Sequence, residues 1–109
     1  MSYKMFIDDI RDPKMYYPNI DMVVVRDYQS ACDYVNEFGL PEFISFDHDL
    51  GDTSENEKTG YSFAKFLIDY MFDNNIQEPF EYYVHSSNPV GKENIENYLK
   101  NGFKSLREE

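Results

Sequence analysis

The chain has 109 residues, with 10 Lys and Arg against 21 Asp and Glu, a formal net charge of −11 and a sequence pI near 4.4. That length suits a single domain, 1–109, with one modest core, and the 41% of hydrophobic residues, 10 Tyr and 9 Phe among them, exclude a disordered acidic tail. The acidity also excludes a protein that coats duplex DNA by neutralising phosphates, while leaving room for a small local basic site.

In chain order, Tyr3 to Ile7 reads as a buried strand stopped by Asp8 and Asp9. No apolar run of signal-peptide length precedes those carboxylates, and no stretch approaches the ~20 apolar residues of a membrane span, so a cytoplasmic protein without membrane association is expected. Ile10 to Ile20, with Pro13, Pro18 and Asn19, predicts a long loop holding at most one helical turn. Its Tyr16 and Tyr17 either stack on a base or pack over the sheet edge. Met22 to Val25 predicts a second strand, β-branched as suits a sheet covered on both faces. Ala31, Tyr34, Val35 and Phe38 have the spacing of an amphipathic helix over Tyr28 to Phe38, with Gly39 as its stop. Cys32 lies in that pattern as a small core residue; being the only cysteine, it rules out an intramolecular disulfide or a cysteine-built zinc cage.

Glu42 to Phe46 predicts a third strand, stopped by Asp47-His48-Asp49-Leu50-Gly51. Asp52 to Thr59 is polar and unpatterned, a surface loop or lid, and Gly60 to Phe72 then places Phe63, Phe66, Leu67, Tyr70 and Met71 on one helical face. Phe80 to Val84 is a fourth strand ending in His85-Ser86-Ser87-Asn88-Pro89. Asn88 or Ser87 caps a last helix with Ile95, Tyr98 and Leu99 on its apolar face, ending at Gly102.

Short buried strands alternating with helices predict an α/β domain with an open, mainly parallel sheet of four or five strands and flanking helices. Ligands of such sheets lie outside the carboxyl ends of the strands, where strand order reverses. That rule selects Asp8-Asp9, Asp47-His48-Asp49 and His85-Ser86-Ser87-Asn88. Asp47 and Asp49 are two apart, so an extended backbone turns both to one face and His48 to the other. Carboxylates gathered at one edge repel one another until a proton or a divalent cation relieves them. The oxygen-rich set Asp8, Asp9, Asp47 and Asp49 suits Mg²⁺ or Mn²⁺; each aspartate taken alone is equally readable as a turn or cap residue. His48 and His85, the only histidines, are candidates for general acid or base, metal ligand or phosphate donor. Ser86, Ser87 and Asn88 either bind an anion at the helix start or simply cap it, and Lys92 in the first turn adds a positive charge there or stays in solvent. Arg11 either clamps a phosphate or pairs with Asp12. Gly51 and Gly60 mark turns or a close backbone approach.

Phe6-Ile7-Asp8-Asp9-Ile10-Arg11, Ile44 to Gly51 with its DHDLG string, Thr59-Gly60-Tyr61 and Val84-His85-Ser86-Ser87-Asn88-Pro89-Val90-Gly91 together resemble the motifs of cyclic-phosphate processing receiver-like domains, relatives of the two-component receivers. The resemblance implies a receiver/flavodoxin-like sheet and a metal-assisted activity on cyclic phosphate or phosphorylated nucleotide ends. Asp8 and Asp9 match the acidic pair after the first receiver strand, Asp47 the aspartate after the third, and Ser86 the hydroxyl residue after the fourth. The pair His48-Asp49 has no receiver counterpart. The receiver's lysine after a fifth strand has a match only if Gly102 to Leu106 forms a stunted strand carrying Lys104.

The leading expectation is a metal-dependent phosphoesterase acting on a cyclic or terminal phosphate of a nucleotide or RNA end. Asp8, Asp9, Asp47 and Asp49 would hold the ion, His48 or His85 would move the proton, and Arg11, Ser86, Ser87, Asn88 and Lys92 would hold phosphate oxygens. Asp47 serves as nucleophile or as metal ligand only. The alternatives are a stand-alone receiver phosphorylated at Asp47 and a nucleotide-binding protein without turnover. A dehalogenase-type phosphatase is set aside, because its paired aspartates follow the first strand and Gly51 stands where its threonine belongs. Oligomeric state leaves no mark in the pattern.

Overall fold

The structure is a computed structural model and describes residues 2–51 and 57–108. Strands β1 (Lys4–Ile7), β2 (Val23–Val25), β3 (Phe43–Phe46) and β4 (Glu81–Val84) alternate with helices α1 (Tyr28–Phe38), α2 (Gly60–Asp73) and α3 (Pro89–Arg107). All neighbouring strands are parallel, in the order β2-β1-β3-β4. The α/β sheet expected from the alternation is present, with four strands among the described residues. Between β1 and β2 there is no crossover α-helix. Pro13–Met15 makes one 3₁₀ turn, capped by the Asp12 carboxylate, which accepts from the Lys14 amide.

Alternation along the strands sorts side chains into two layers. Met5, Ile7, Val25, Ile44, Phe46 and Val84 face the helices and form one cluster with Ala31, Val35, Phe63, Leu67, Met71, Ile95 and Leu99. The helices lie side by side with α2 in the middle, touching both α1 and α3. Each begins with the cap its sequence provides. Asp27 accepts from the Ser30 amide, Asn88 accepts from the Gly91 amide, and Thr59 forms a reciprocal capping box with Ser62. On the opposite face Phe6 and Ser45 are buried beneath the 10–20 segment, where Tyr16 and Tyr17 lie against the Phe6 ring.

Four expectations need correction. First, Gly102 to Leu106 is not a fifth strand: α3 runs on to Arg107, and Phe103 and Leu106 continue the buried stripe of Ile95 and Leu99. Gly102 is no helix stop either. It faces α2 so closely that a Cβ there would lie 2.7 Å from Ile68 Cδ1 and would have to displace that side chain. Lys104 is therefore a residue of the last helical turn. Second, β2 is an edge strand with Val24 exposed rather than a strand covered on both faces, because no helix precedes it to cover that side. Third, Phe38 is 57% exposed, with its ring against Tyr34 at 4.5 Å; the buried positions of α1 are Ala31, Cys32 and Val35. Fourth, most of the loop or lid read at Asp52 to Thr59 lies outside the described residues, which resume at residue 57 with Thr59 capping α2.

Candidate functional site

The chain runs outward from β1 to β2 and then returns to β3 on the other side of β1, so strand order reverses between β1 and β3. Asp8 and Asp47 are the residues that leave these two strands. Both are held by the sheet's own ladder, since Asp8 N donates to Val25 O at 3.2 Å and Asp47 N to Ile7 O at 2.9 Å. His85 leaves β4 in the same way, donating its amide to Phe46 O at 2.9 Å. The chemistry-bearing side chains thus stand on rigid strand ends rather than on free loops.

Carboxylate oxygens of Asp8, Asp9 and Asp47 lie within 4.8 Å of one another. They open into a cleft of about 240 Å³ lined also by Ile10, Arg11, Asp49, Gly51 and Ser87. Asp8 is fully buried. Its Oδ1 accepts from the Ile10 and Arg11 amides at 3.0 Å each, and its Oδ2 accepts from His85 Nε2 at 2.9 Å. Burial by itself would raise the Asp8 carboxyl, but those hydrogen bonds outweigh it and hold it below its ordinary value. Asp47 goes the other way. Burial and the charge of Asp8 push its carboxyl up, against weaker opposing effects of His85, Arg11 and a hydrogen bond with Ser86.

An ionised Asp8 requires a His85 proton on Nε2, and burial, which lowers the pKa of the imidazole, keeps the ring neutral with that one proton. Nδ1 is then an acceptor, and Ser45 Oγ lies 2.7 Å from it. Tyr17 OH stands 2.9 Å from the same Ser45 oxygen, so a chain of donors runs from Tyr17 through Ser45 and His85 to Asp8. The imidazole is further clamped by a stacked Phe6 ring at 4.6 Å and by Tyr16 at 5.0 Å. Of the two roles open to Tyr16 and Tyr17, packing over the sheet edge is the one that the geometry displays.

Arg11 enters the cleft with Nη1 3.7 Å from Asp8 Oδ2, and that Nη1 is buried without a hydrogen-bond partner among the described residues. It does not pair with Asp12, whose carboxylate is occupied in capping the 3₁₀ turn. Arg26 Nη1 donates to Asp8 O at 3.2 Å and Arg11 O at 2.5 Å and so fixes the backbone from which Arg11 extends. An orphaned guanidinium N–H beside three converging carboxylates is suited to an oxyanion that arrives with a divalent cation. The oxygen-only donor set fits Mg²⁺ or Mn²⁺, and of the two Asp8 oxygens Oδ2, which accepts a single hydrogen bond, keeps lone-pair capacity for a ligand bond.

Residues 3–101 match the cyclic-phosphate processing receiver domain. The chain belongs to that family. A search among curated proteins returned no match. The family ties this receiver domain to cyclic-phosphate processing, and the parallel sheet with its helices is the receiver-like α/β fold that the motifs implied.

Within this cyclic-phosphate processing receiver domain, neither histidine lines the cleft. His85 stands behind Asp8. His48 stands behind Asp49, with Nδ1 2.9 Å from Asp49 Oδ1. The His48 ring packs so tightly under α3 that a Cβ on Gly91 would lie 2.3 Å from its Cγ. At the same turn, a Cβ on Gly60 would fall 2.0 Å from Asp47 O, and the Gly60 amide donates to His48 O. Two helix-starting glycines therefore hold the Asp47-His48-Asp49 turn, Gly60 against its backbone and Gly91 against the His48 ring. Gly51, with φ of 72°, closes the cleft against Asp9.

The remaining sequence-selected residues divide. Asp49 lines the cleft but lies outside the tight carboxylate trio. Ser87 lines it, while Ser86 reaches Asp47 and accepts from the Asn88 amide at 3.1 Å. Asn88 is the cap of α3. Lys92 points away, its Nζ 5.4 Å from the centre of the Tyr83 ring. Arg26 was not singled out by the sequence pattern, and Ser45 and Gly91 lay within the family motifs without a role. Ser45 had a local signal, a hydroxyl inside an apolar strand, but nothing near Arg26 or Gly91 in sequence announces what each touches.

Proposed function

We propose that the protein is a metal-assisted phosphoesterase that opens or removes a cyclic or terminal phosphate on a nucleotide or RNA end. The observation that carries this reading is the convergence of the Asp8, Asp9 and Asp47 carboxylates beside the partnerless Nη1 of Arg11. Asp8, Asp9 and Asp47 would hold Mg²⁺ or Mn²⁺, which when bound polarises the phosphoryl group and offsets its charge. Arg11 donates to a phosphate oxygen, and the Ser87 hydroxyl at the rim donates to another. Asp49 accepts the proton of the attacking water, and His48 Nδ1 orients it from behind. Water oxygen bonds to phosphorus, the P–O bond to one ribose oxygen breaks, and the departing alkoxide takes a proton from solvent. His85 moves no proton in this scheme: through Ser45 and Tyr17 it fixes the rotamer of Asp8.

The test is incubation of the full chain with Mg²⁺ or Mn²⁺ and a panel of nucleoside 2′,3′-cyclic phosphates and RNA ending in a cyclic phosphate. Ring opening is expected. Asp47→Asn should lower it by about 100-fold or more, and Arg11→Ala should raise KM about tenfold. No opening of any member, or full activity in Asp47→Asn, overturns the reading. A stable phosphoryl label on Asp47 from a small phosphodonor, without turnover, replaces it with that of a signalling receiver.

A further inference from the structure

We propose that the cavity between the start of α1 and the Leu50–Gly51 turn is the subsite that receives the nucleoside part of the substrate while its phosphate lies in the acidic cleft. The inference rests on the phosphoesterase reading and deepens it. This cavity, about 430 Å³, is lined by Asp27, Tyr28, Gln29, Leu50, Gly51 and Lys58. Gly51 belongs to its lining and to that of the acidic cleft, so the two hollows adjoin there. Pockets that bury a small organic ligand run from roughly 300 to 1,000 Å³. At about 240 Å³ the acidic cleft falls below that range, enough for a phosphate and its cation but not for a nucleotide. The adjoining cavity supplies the missing room.

Its lining has the chemistry of a base pocket. Leu50 and the half-buried Tyr28 ring form its apolar wall, and burial and the nearby Cys32 thiol push the Tyr28 hydroxyl up to about 12, so that it stays neutral. Gln29 Nε2 donates to Asp33 at 2.9 Å, which holds the amide in place with its oxygen left as an acceptor. Lys58 lies over the Tyr28 ring at 5.4 Å. An aromatic wall, an anchored amide, one cation and the Asp27 carboxylate suit a flat heterocycle with donors and acceptors on its edge better than an alkyl chain or a second phosphate. A chain of charge −11 gains little from attracting an anion at long range, so contact with the uncharged part of the substrate has correspondingly more to contribute.

The experiment uses the full chain in Mg²⁺ buffer, with amide NMR shifts recorded during titration with adenosine, adenosine 2′,3′-cyclic phosphate and inorganic phosphate. KM is measured in parallel for the cyclic nucleotide and for a base-free five-membered cyclic phosphate. Adenosine and the cyclic nucleotide should shift Tyr28, Gln29 and Gly51; inorganic phosphate should shift Arg11 and Ser87 and leave Tyr28 unmoved. Gln29→Trp, an exposed position whose larger side chain fills the cavity, should raise KM for the cyclic nucleotide about tenfold and leave the base-free substrate unchanged. Lys58→Ala should act in the same direction more weakly. If both substrates are opened while Tyr28 and Gln29 stay unshifted and Gln29→Trp has no effect, the subsite is overturned and the phosphoesterase reading stands. If adenosine shifts Tyr28 but no cyclic phosphate is opened, the subsite stands and the phosphoesterase reading falls. Absence of both binding and opening overturns the two together.

Discussion

Replacing Asp47 by Asn should stabilise the metal-free protein and weaken its response to metal. Asp47 is only 6% exposed and its carboxylate oxygen lies within 4.8 Å of those of Asp8 and Asp9. Two unit charges at that separation repel by about 3.5 kcal/mol at an effective dielectric constant of about 20, and the nearby Arg11 cation offsets part of this. A net gain of about 1–2 kcal/mol for the neutral isostere follows, and each kcal/mol moves the melting temperature of a domain this size by roughly 4–8 °C. The sign with pH is set by the direction of the Asp47 shift. Its carboxyl is raised in the fold by burial and Asp8, so its ionisation opposes folding, and the penalty grows as pH rises through the folded value. The Asn variant should therefore gain most at neutral pH and lose its advantage in acid, where wild-type Asp47 binds its proton. With saturating Mn²⁺ the order should reverse, because a ligand at 100 times its dissociation constant stabilises the wild type by about 2.7 kcal/mol and the variant has lost a carboxylate. Melting curves of both proteins, with chelator and with Mn²⁺, at neutral and acidic pH, are the assay. A variant that melts lower than wild type in chelator, or that keeps the whole Mn²⁺ shift, refutes the reasoning.

Gly60→Ala should cost at least about 2 kcal/mol in urea unfolding, since its Cβ would sit 2.0 Å from the Asp47 carbonyl oxygen and backbone cannot yield as a side chain does; unchanged stability would mean that α2 does not start against that turn. Ser45→Ala leaves buried His85 Nδ1 without its donor and should cost about 1–3 kcal/mol, with weaker Mn²⁺ binding because Asp8 loses its support. Tyr17→Phe should cost less, as Ser45 keeps its bond to His85. Cys32, whose thiol burial pushes up to about 11, should resist iodoacetamide at pH 8 in the folded protein and react fast in denaturant.

Much of this arrangement is local and was legible in the chain. Apolar runs such as Met5-Phe6-Ile7 and Ile44-Ser45-Phe46 mark strands by length and β propensity, and the abrupt carboxylates that follow them mark where the strands end. The cap at Asn88 was readable in the same way, whereas Asp27 and Thr59, which cap through equally local hydrogen bonds, were assigned that role only by the structure. Strand ends in a parallel sheet share one edge, so Asp8, Asp47 and His85 were selected together before any distance was known. Gly102 misled because a glycine near the end of an apolar stripe reads as a stop, when it instead leaves room for Ile68 of another helix.

The tertiary structure decided what depends on partners distant in sequence. That His85 stands behind Asp8 follows from residues 40 and 77 positions apart meeting across the sheet, Ser45 with His85 and Asp8 with His85, while the His48 ring is set beneath Gly91 of α3. Arg26 reaches the Asp8 loop because β2 pairs beside β1, and Lys92 misses the cleft because α3 carries it over Tyr83. Periodicity and capping act over a few residues, so the sequence by itself determined the elements and the edge on which the site lies. Strand order and the angle at which each helix meets the sheet are set by packing of the whole core, and these alone decided which side chains face the cleft and which hold them there.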